Sequence, residues 1–280
     1  MRDKNIFSSK NKLNSKTKSF ITAFAVFVVI LGVFSVFMFM HSIDFDLDNL
    51  VESSTSENNT EKDDEIPSRA YSVNDLNGRS DIMFIITDEN ERVDFIFCTF
   101  VDFDNGTFKI RYKDGDSQLQ QGDSYVSINS VYAKSSVNGL KSFINGVFNT
   151  EIDKYVVIST SDLKTFLSKF DGIKINVKEN VNYKSDIFDI ELSSGSQMLS
   201  GEKTVNYLIS CDDKLKEQVL CDIAISVLDE KYVEKSDKLF KQLVNLSETD
   251  ISVIDYSNAL SQLEIYCKAD DRFVPIPYGE

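Results

Sequence analysis

Twenty-one consecutive residues without a charge, Phe20 to Met40 (FITAFAVFVVILGVFSVFMFM), dictate the layout of this 280-residue chain. A helix rising about 1.5 Å per residue covers the roughly 30 Å hydrocarbon core of a bilayer with such a run. Arg2, Lys4, Lys10, Lys12, Lys16 and Lys18 precede it against the single acid Asp3, and Asp44, Asp46 and Asp48 follow it. Basic flanks stay on the cytoplasmic side, so the run predicts a single-pass anchor with its N-terminus inside and the remainder exported. A cleaved signal peptide is the competing reading. Its apolar region is usually about 7–15 residues and ends in small residues, whereas Met40, His41, Ser42 and Ile43 come next here. The chain therefore divides into a basic cytoplasmic tail (1–18), a transmembrane helix (19–41), an acidic linker (42–70) too polar to fold alone, and an extracytoplasmic domain (71–280) held at the cell membrane.

The net charge is −15, and because the basic tail contributes +5 the rest of the chain carries −20. A nucleic-acid role is excluded on that balance, since phosphate binding needs clustered Lys and Arg. An anionic ligand would need a local basic pocket set against an unfavourable general field. Beyond the tail, arginine is confined to Arg69, Arg79, Arg92, Arg111 and Arg272. The single histidine, His41, sits at the membrane edge, which removes a Ser-His-Asp triad or a His-based zinc site from the domain. Cys98, Cys211, Cys221 and Cys267 contain no CxxC pair, and buried thiols are expected over any given disulfide.

Residues 82–86 (IMFII), 95–100 (FIFCTF), 108–112 (FKIRY) and 155–159 (YVVIS) read as strands, the first two and the last as buried ones. Residues 173–177 (IKINV) add a strand with period-two alternation. Helical spacing runs through 135–148, with Val137, Leu140, Phe143, Ile144, Val147 and Phe148 on one face. A helix follows 159 with Ser161 or Asp162 as its cap, and further helices are expected at 201–210, 214–232, 236–246 and from about Ser257 onward. Strands interleaved with helices predict an α/β fold, a layered α-β-α domain around a central mixed sheet.

The order of these segments resembles the LytR-CpsA-Psr family over nearly the whole exported domain. DIMFIITD (81–88) is similar to that family's first strand, which ends in a small residue plus Asp. RVDFIFCTFVDFDNGTFKI (92–110) is similar to its next hairpin, opened by an Arg-x-Asp triplet. SINSVYA (127–133), IDKYVVISTSDLKTFLSKFDGIKINV (152–177), GSQMLSGEKTV (195–205) and LSETDIS (246–252) resemble later elements in the family's order. The resemblance implies a membrane-anchored protein of Gram-positive cell envelopes. Its family role is transfer of a phosphoglycopolymer from a polyprenyl pyrophosphate carrier onto peptidoglycan, using arginines to clamp the pyrophosphate and magnesium held by carboxylate.

The departures from the pattern fall on the residues that do this chemistry. Arg92 and Asp94 match the triplet, which assigns Asp94 to Mg2+ and Arg92 to the pyrophosphate. The next motif reads RYKDGD (111–116), placing Asp114 where the catalytic arginine belongs, with Lys113 available after a one-residue slip. The downstream cluster reads YLISCDDKLKEQ (207–218); Gln218 remains, Lys214 and Lys216 supply the only positive charge, and Glu217 stands for an arginine. The candidate pyrophosphate residues are thus Arg92, Lys113, Lys214 and Gln218. A more literal triplet, Arg79-Ser80-Asp81, is set aside because it leaves no first strand before it. Two functions compete: a phosphotransferase with a reduced clamp, and an inactive lipid- or partner-binding module of the envelope. A glycosidase built on paired carboxylates has no motif to select the pair. The first two differ physically, because a transferase brings Arg92, Lys113, Lys214 and Asp94 into one pocket, whereas a binding module shows an apolar cavity without convergent positive charge at its mouth.

Overall fold

The sheet begins with β1 (Arg79–Thr87), β2 (Val93–Asp102) and β3 (Thr107–Asp114), an antiparallel meander. A parallel partner, β6 (Lys154–Ser159), joins it on the outer side of β1, from Ile82 opposite Lys154 to Thr87 opposite Ser159. The computed structural model describes residues 71–279, which fold as one compact unit. The expected transmembrane helix, linker and basic tail lie outside the described residues. Among those described, no helix is long and apolar enough to cross a membrane.

Two short strands close the sheet, β11 (Ser247–Thr249) antiparallel to β6 and β12 (Ile276–Pro277) parallel to β3, giving the order β11-β6-β1-β2-β3-β12. Short edges, one with proline, offer little unpaired backbone for lateral pairing. Four of the five strands expected from the sequence are in it. The alternation of β1 and β2 divides their side chains between two cores. Met83, Ile85, Ile96, Cys98 and Phe100 pack with α1 (Ile128–Phe148) on one face. Ile86, Phe95, Phe108, Ile110 and Ile158 face the remaining helices on the other. Those helices are α2 (Thr160–Leu167), α3 (Gly201–Ser210), α4 (Asp213–Val227), α5 (Ser236–Leu246) and α6 (Val253–Lys268). Each fully buried Ile, Leu or Phe contributes about 1.5–3 kcal/mol, so the two faces supply most of the drive to fold.

Three boundaries differ from the sequence expectation, the first two through a cap. The helix after β6 starts at Thr160, because Ser159 is the N-cap and its hydroxyl accepts from Asp162 N–H at 3.0 Å. The last helix begins at Val253 rather than near Ser257; Ser252 and Asp255 form a reciprocal capping box within a stretch that looked merely polar. The helix expected over 214–232 stops at Val227, and a 3-10 turn covers Glu230–Lys235. The strand at Ile173–Val177, β7, is real but pairs with β10 (Gly195–Leu199) in a separate two-stranded sheet. Hairpins of β4 (Gln118–Gln121) with β5 (Ser124–Ser127), and of β8 (Val181–Lys184) with β9 (Asp189–Leu192), carried no clear signal in the chain. The thiols of Cys98, Cys211 and Cys267 are free, and Cys221 is buried. Burial raises the Cys98 thiol to about 12 and those of Cys211 and Cys267 to about 11.

The first helix starts seven residues before its apolar spacing, at Ile128, because it is kinked. Ser136 sits at φ 54°, ψ −164°, a conformation that belongs to glycine. The kink drives Ser135 against the helix one turn on, where a Cβ on Gly139 would lie 2.0 Å from that of Ser135. The strain at Ser136 is of order 1–3 kcal/mol, while glycine loses about 0.5–1 kcal/mol to chain entropy. Ser136→Gly is therefore expected to stabilise the fold by about 1 kcal/mol and raise Tm by roughly 2–4 °C. Gly139→Ala should lower stability by about 1–3 kcal/mol through the forced contact. Thermal unfolding of both variants checks the pair; a destabilised Ser136→Gly would show the kink to be unstrained.

Candidate functional site

Between the sheet and the helices α2 to α6 lies a cavity of about 400 Å3, and none of its lining residues is charged. Ile82, Phe84, Phe97, Val101 and Ile110 floor it from the sheet; Leu163, Phe166, Leu220, Ile223 and Leu263 wall it from the helices. The rings of Phe84 and Phe97 stack at 4.5 Å with planes 4° apart. The few polar groups on the wall are already engaged where they matter: Thr99 donates to Ile82 O at 3.4 Å and Tyr266 to Phe273 O at 2.6 Å. Large apolar pockets of this size, opening to solvent and without charge on their walls, are the form ligand sites commonly take. Its surface suits an apolar chain.

The polar end of the same face is built by an irregularity in β2. Ile86 faces Phe95 but Thr87 faces Val93, so Asp94 is skipped by the register. A bulge re-aims the side chain it contains. Asp94 reaches Thr160 at the start of α2, which donates to its Oδ2 at 2.8 Å. Burial pushes the Asp94 carboxyl above its usual range; the Thr160 hydrogen bond pulls it down, and Asp88 and Asp114 add to the rise. Gly115 makes the geometry possible. Its N–H donates to Asp94 O at 2.9 Å and its carbonyl accepts from Asn129 N–H, also at 2.9 Å. A Cβ there would lie 1.9 Å from Val93 O. Asn129 clamps Val93 from both sides, accepting its N–H at 2.9 Å and donating to its carbonyl at 3.1 Å.

The candidate cations do not converge on this end. Arg92 is exposed and its guanidinium is held by Asp116, at 2.6 and 2.5 Å from the two carboxylate oxygens. Lys113 lies opposite Ile96 in the ladder and so projects from the α1 face, away from the cavity. Lys214 is exposed on the first turn of α4, and Gln218 donates to Asp222 at 3.3 Å. The residue that does turn inward is Lys216, which is 7% exposed. Its ammonium donates to Tyr112 Oη at 3.1 Å and pairs with Asp213 at 2.8 Å. Spacing held the signal: Lys216, Val219 and Leu220 follow the i, i+3, i+4 rule, putting the lysine on the buried stripe of α4. Its neighbour Glu217 accepts Tyr112 N–H at 3.0 Å, so the acid standing in an arginine's place has become a cap for the open edge of β3.

The literal triplet lies elsewhere. Arg79 and Asp81 meet at 3.0 and 2.8 Å at the start of β1, the opposite end of the strand from Thr87. Among the described residues no group of three or more acidic, His or Cys side chains is placed to hold a metal ion. Magnesium commonly uses one or two carboxylates plus the phosphates of its ligand, and Asp94 is the carboxylate on this face that could contribute one.

The chain matches the LytR_cpsA_psr family over residues 47–270. Among solved structures it resembles B. subtilis TagV, with TM-score 0.59 and 21% identity over 72% of this chain and 85% of that one. It resembles the Lin1025 protein of Listeria innocua at TM-score 0.53 and 14% identity, covering 71% and 81%. TagT bound to LI-WTA gives TM-score 0.52 and 16% identity, covering 71% and 78%. No curated protein sequence matches.

Two outcomes follow from the buried polar groups. Asp94→Asn should raise Tm modestly at neutral pH, because the carboxyl's raised pKa means that folding works against its charge; it keeps a Thr160 acceptor. With its folded pKa raised, the acid costs stability as pH climbs from its unfolded towards its folded pKa, so the gain from Asp94→Asn should vanish in acid below about pH 4. Tyr112, raised to about 12 mainly by burial, and Lys216, whose Asp213 and Tyr112 partners outweigh its burial, both bind protons more tightly when folded. Stability should therefore fall between about pH 10 and 12. Lys216→Met, which removes a charge-assisted hydrogen bond worth about 1.5–3 kcal/mol, should lower stability at neutral pH by about that much. Unfolding midpoints across pH test both; an unchanged Asp94→Asn midpoint would put the carboxylate in solvent.

Proposed function

The chain belongs to the LytR_cpsA_psr family, and we propose that it works as a carrier-lipid-binding module of the cell envelope, anchored by its N-terminal apolar run with the folded domain outside. The cavity takes the hydrocarbon of a polyprenyl pyrophosphate carrier, and the linked glycopolymer projects towards peptidoglycan. The observation that carries this reading is the cavity wall without a single charged residue, set against cations that point in different directions. TagT, a fold relative, is known bound to LI-WTA, which supports a ligand site on this fold.

Transfer of the polymer needs fixed positive charge where negative charge develops at phosphorus. Arg92 is neutralised by Asp116, Lys113 and Lys214 face elsewhere, and Lys216 is occupied by Tyr112 and Asp213. A magnesium ion brought on the ligand's phosphates would be met by Asp94 and would screen their charge. Asp94 on its bulge favours retained transferase activity as the second reading, with Arg92, Lys113, Lys214 and Gln218 as the residues left to hold the pyrophosphate.

Binding of three probes by the full-length chain separates the readings: a polyprenyl pyrophosphate, the matching polyprenyl alcohol, and inorganic pyrophosphate. For a binding module, alcohol and pyrophosphate lipids bind within about three-fold of each other, free pyrophosphate does not compete, and Asp94→Ala changes nothing. Leu263→Trp, which fills the cavity, should weaken lipid binding at least about ten-fold, or 1.4 kcal/mol. A magnesium-dependent gain of about a hundred-fold from the pyrophosphate, lost in Asp94→Ala, would instead establish the transferase site.

A further inference from the structure

β3 carries a row of cations that no acid answers. Lys109, Arg111 and Lys113 take alternate positions on the strand, opposite Phe100, Cys98 and Ile96 of β2, so all three project from the α1 face of the sheet. Each is half-buried. Among the described residues none of the three pairs with a carboxylate, and none donates a side-chain hydrogen bond. Asp114, next along the chain, stands opposite Phe95 and projects from the other face. Asp81 and Asp116 are held by Arg79 and Arg92.

Arg111 differs from the other described arginines. Arg79 and Arg92 have their carboxylates, and Arg272 donates to Leu228 O at 2.7 Å. Arg111 instead lies 4.1 Å from the ring centres of both Phe148 and Tyr278. Stacking engages the faces of a guanidinium and leaves its N–H fork, which matches a planar carboxylate, at the edge. Three elements fix this arrangement: Arg111 on β3, Phe148 at the end of α1, and Tyr278 after β12, where its N–H donates to Ile110 O at 2.9 Å. Lys109 lies 5.8 Å from the same tyrosine ring.

Spacing and charge select the partner. Alternate residues of a strand repeat about every 7 Å, and so do the carboxylates of an extended peptide with an acid at every second position. A lone phosphate is too small to span three such positions. A lipid surface has no register, and its negative charge would repel a chain that carries −20 beyond residue 18. A short acidic segment meets the local row instead. We infer that this face of β3 docks an extended acidic segment of a partner protein, with carboxylates at alternate residues and the Arg111 fork gripping the central one. The inference rests on β3 and its neighbours alone and is independent of what the apolar cavity holds.

Titration of the full-length chain, in a neutral detergent, with a capped peptide alternating alanine and aspartate tests it. A peptide of the same composition with its aspartates adjacent, inorganic pyrophosphate and dihexanoylphosphatidylglycerol serve as competitors. The alternating peptide is expected to bind at least about five-fold more tightly than any of them, and less tightly as salt is raised. Arg111→Lys keeps the charge and loses the fork, and should weaken binding about ten-fold or more, or 1.4 kcal/mol. Lys109→Gln gives up a partly exposed ion pair and should cost about two- to five-fold. Lys134→Gln, an exposed lysine of α1 outside the row, should change nothing. A cooperative thermal transition above the assay temperature shows each variant to be folded. The inference is overturned if the alternating peptide fails to bind, if Arg111→Lys binds it as tightly as the parent, if Lys134→Gln weakens it as much as Lys109→Gln, or if any competitor binds as tightly.

Discussion

Everything in this domain hangs on the parallel pairing of β1 with β6. A parallel pair cannot be closed by a tight turn, so the chain must travel through β2, β3 and α1 before β6 returns to the sheet. That crossover buries both faces of the first two strands and creates two cores in place of one. It also brings the ends of β1 and β6 together, and Asp94 of the neighbouring strand meets Thr160 there. The polar end of the site is thus a product of topology: no local segment contains both partners.

The two faces of the sheet have been put to different chemical uses. One is filled by α1 and ends in a polar cleft, where two of the positive-φ residues lie. The other holds an apolar cavity whose wall carries no charge. Positive charge has been withdrawn from the space between them. Arg92 is matched by Asp116, Lys216 by Asp213 and Tyr112, and Arg111 is stacked between Phe148 and Tyr278 at 4.1 Å from each ring. In a chain that carries −20 beyond residue 18, the remaining cations serve the fold first.

The sequence made the strand runs, the long helices and the family order legible because they rest on spacing that repeats within a few residues. IKINV, GEKTVNYLIS and SDKLFKQLVNL match their elements to the residue. It failed where one residue's geometry decides. The cap at Ser159 was missed because Ser161 and Asp162 compete for the same role in one dimension. The kink at Ser136 is invisible, since serine does not advertise a positive φ. Lys214 and Lys216 look interchangeable in a list, but are two positions apart on a helix and so point about 200° apart around it. Glu217 reads as a repulsive acid until β3 is seen to need an acceptor for Tyr112 N–H. The anchor and linker fall outside the described residues and keep the status of expectations.

Thiol protonation has a consequence for how the domain tolerates its surroundings. With Cys98 near 12 and Cys211 and Cys267 near 11, thiolate at neutral pH is on the order of one part in ten thousand or less. Exchange and oxidation run through the thiolate, so these sulfurs are chemically quiet even where oxidants are plentiful. A fold that keeps these three thiols protonated needs neither an oxidase to mature nor a reductase to stay intact, and its lifetime is decoupled from the redox poise around it.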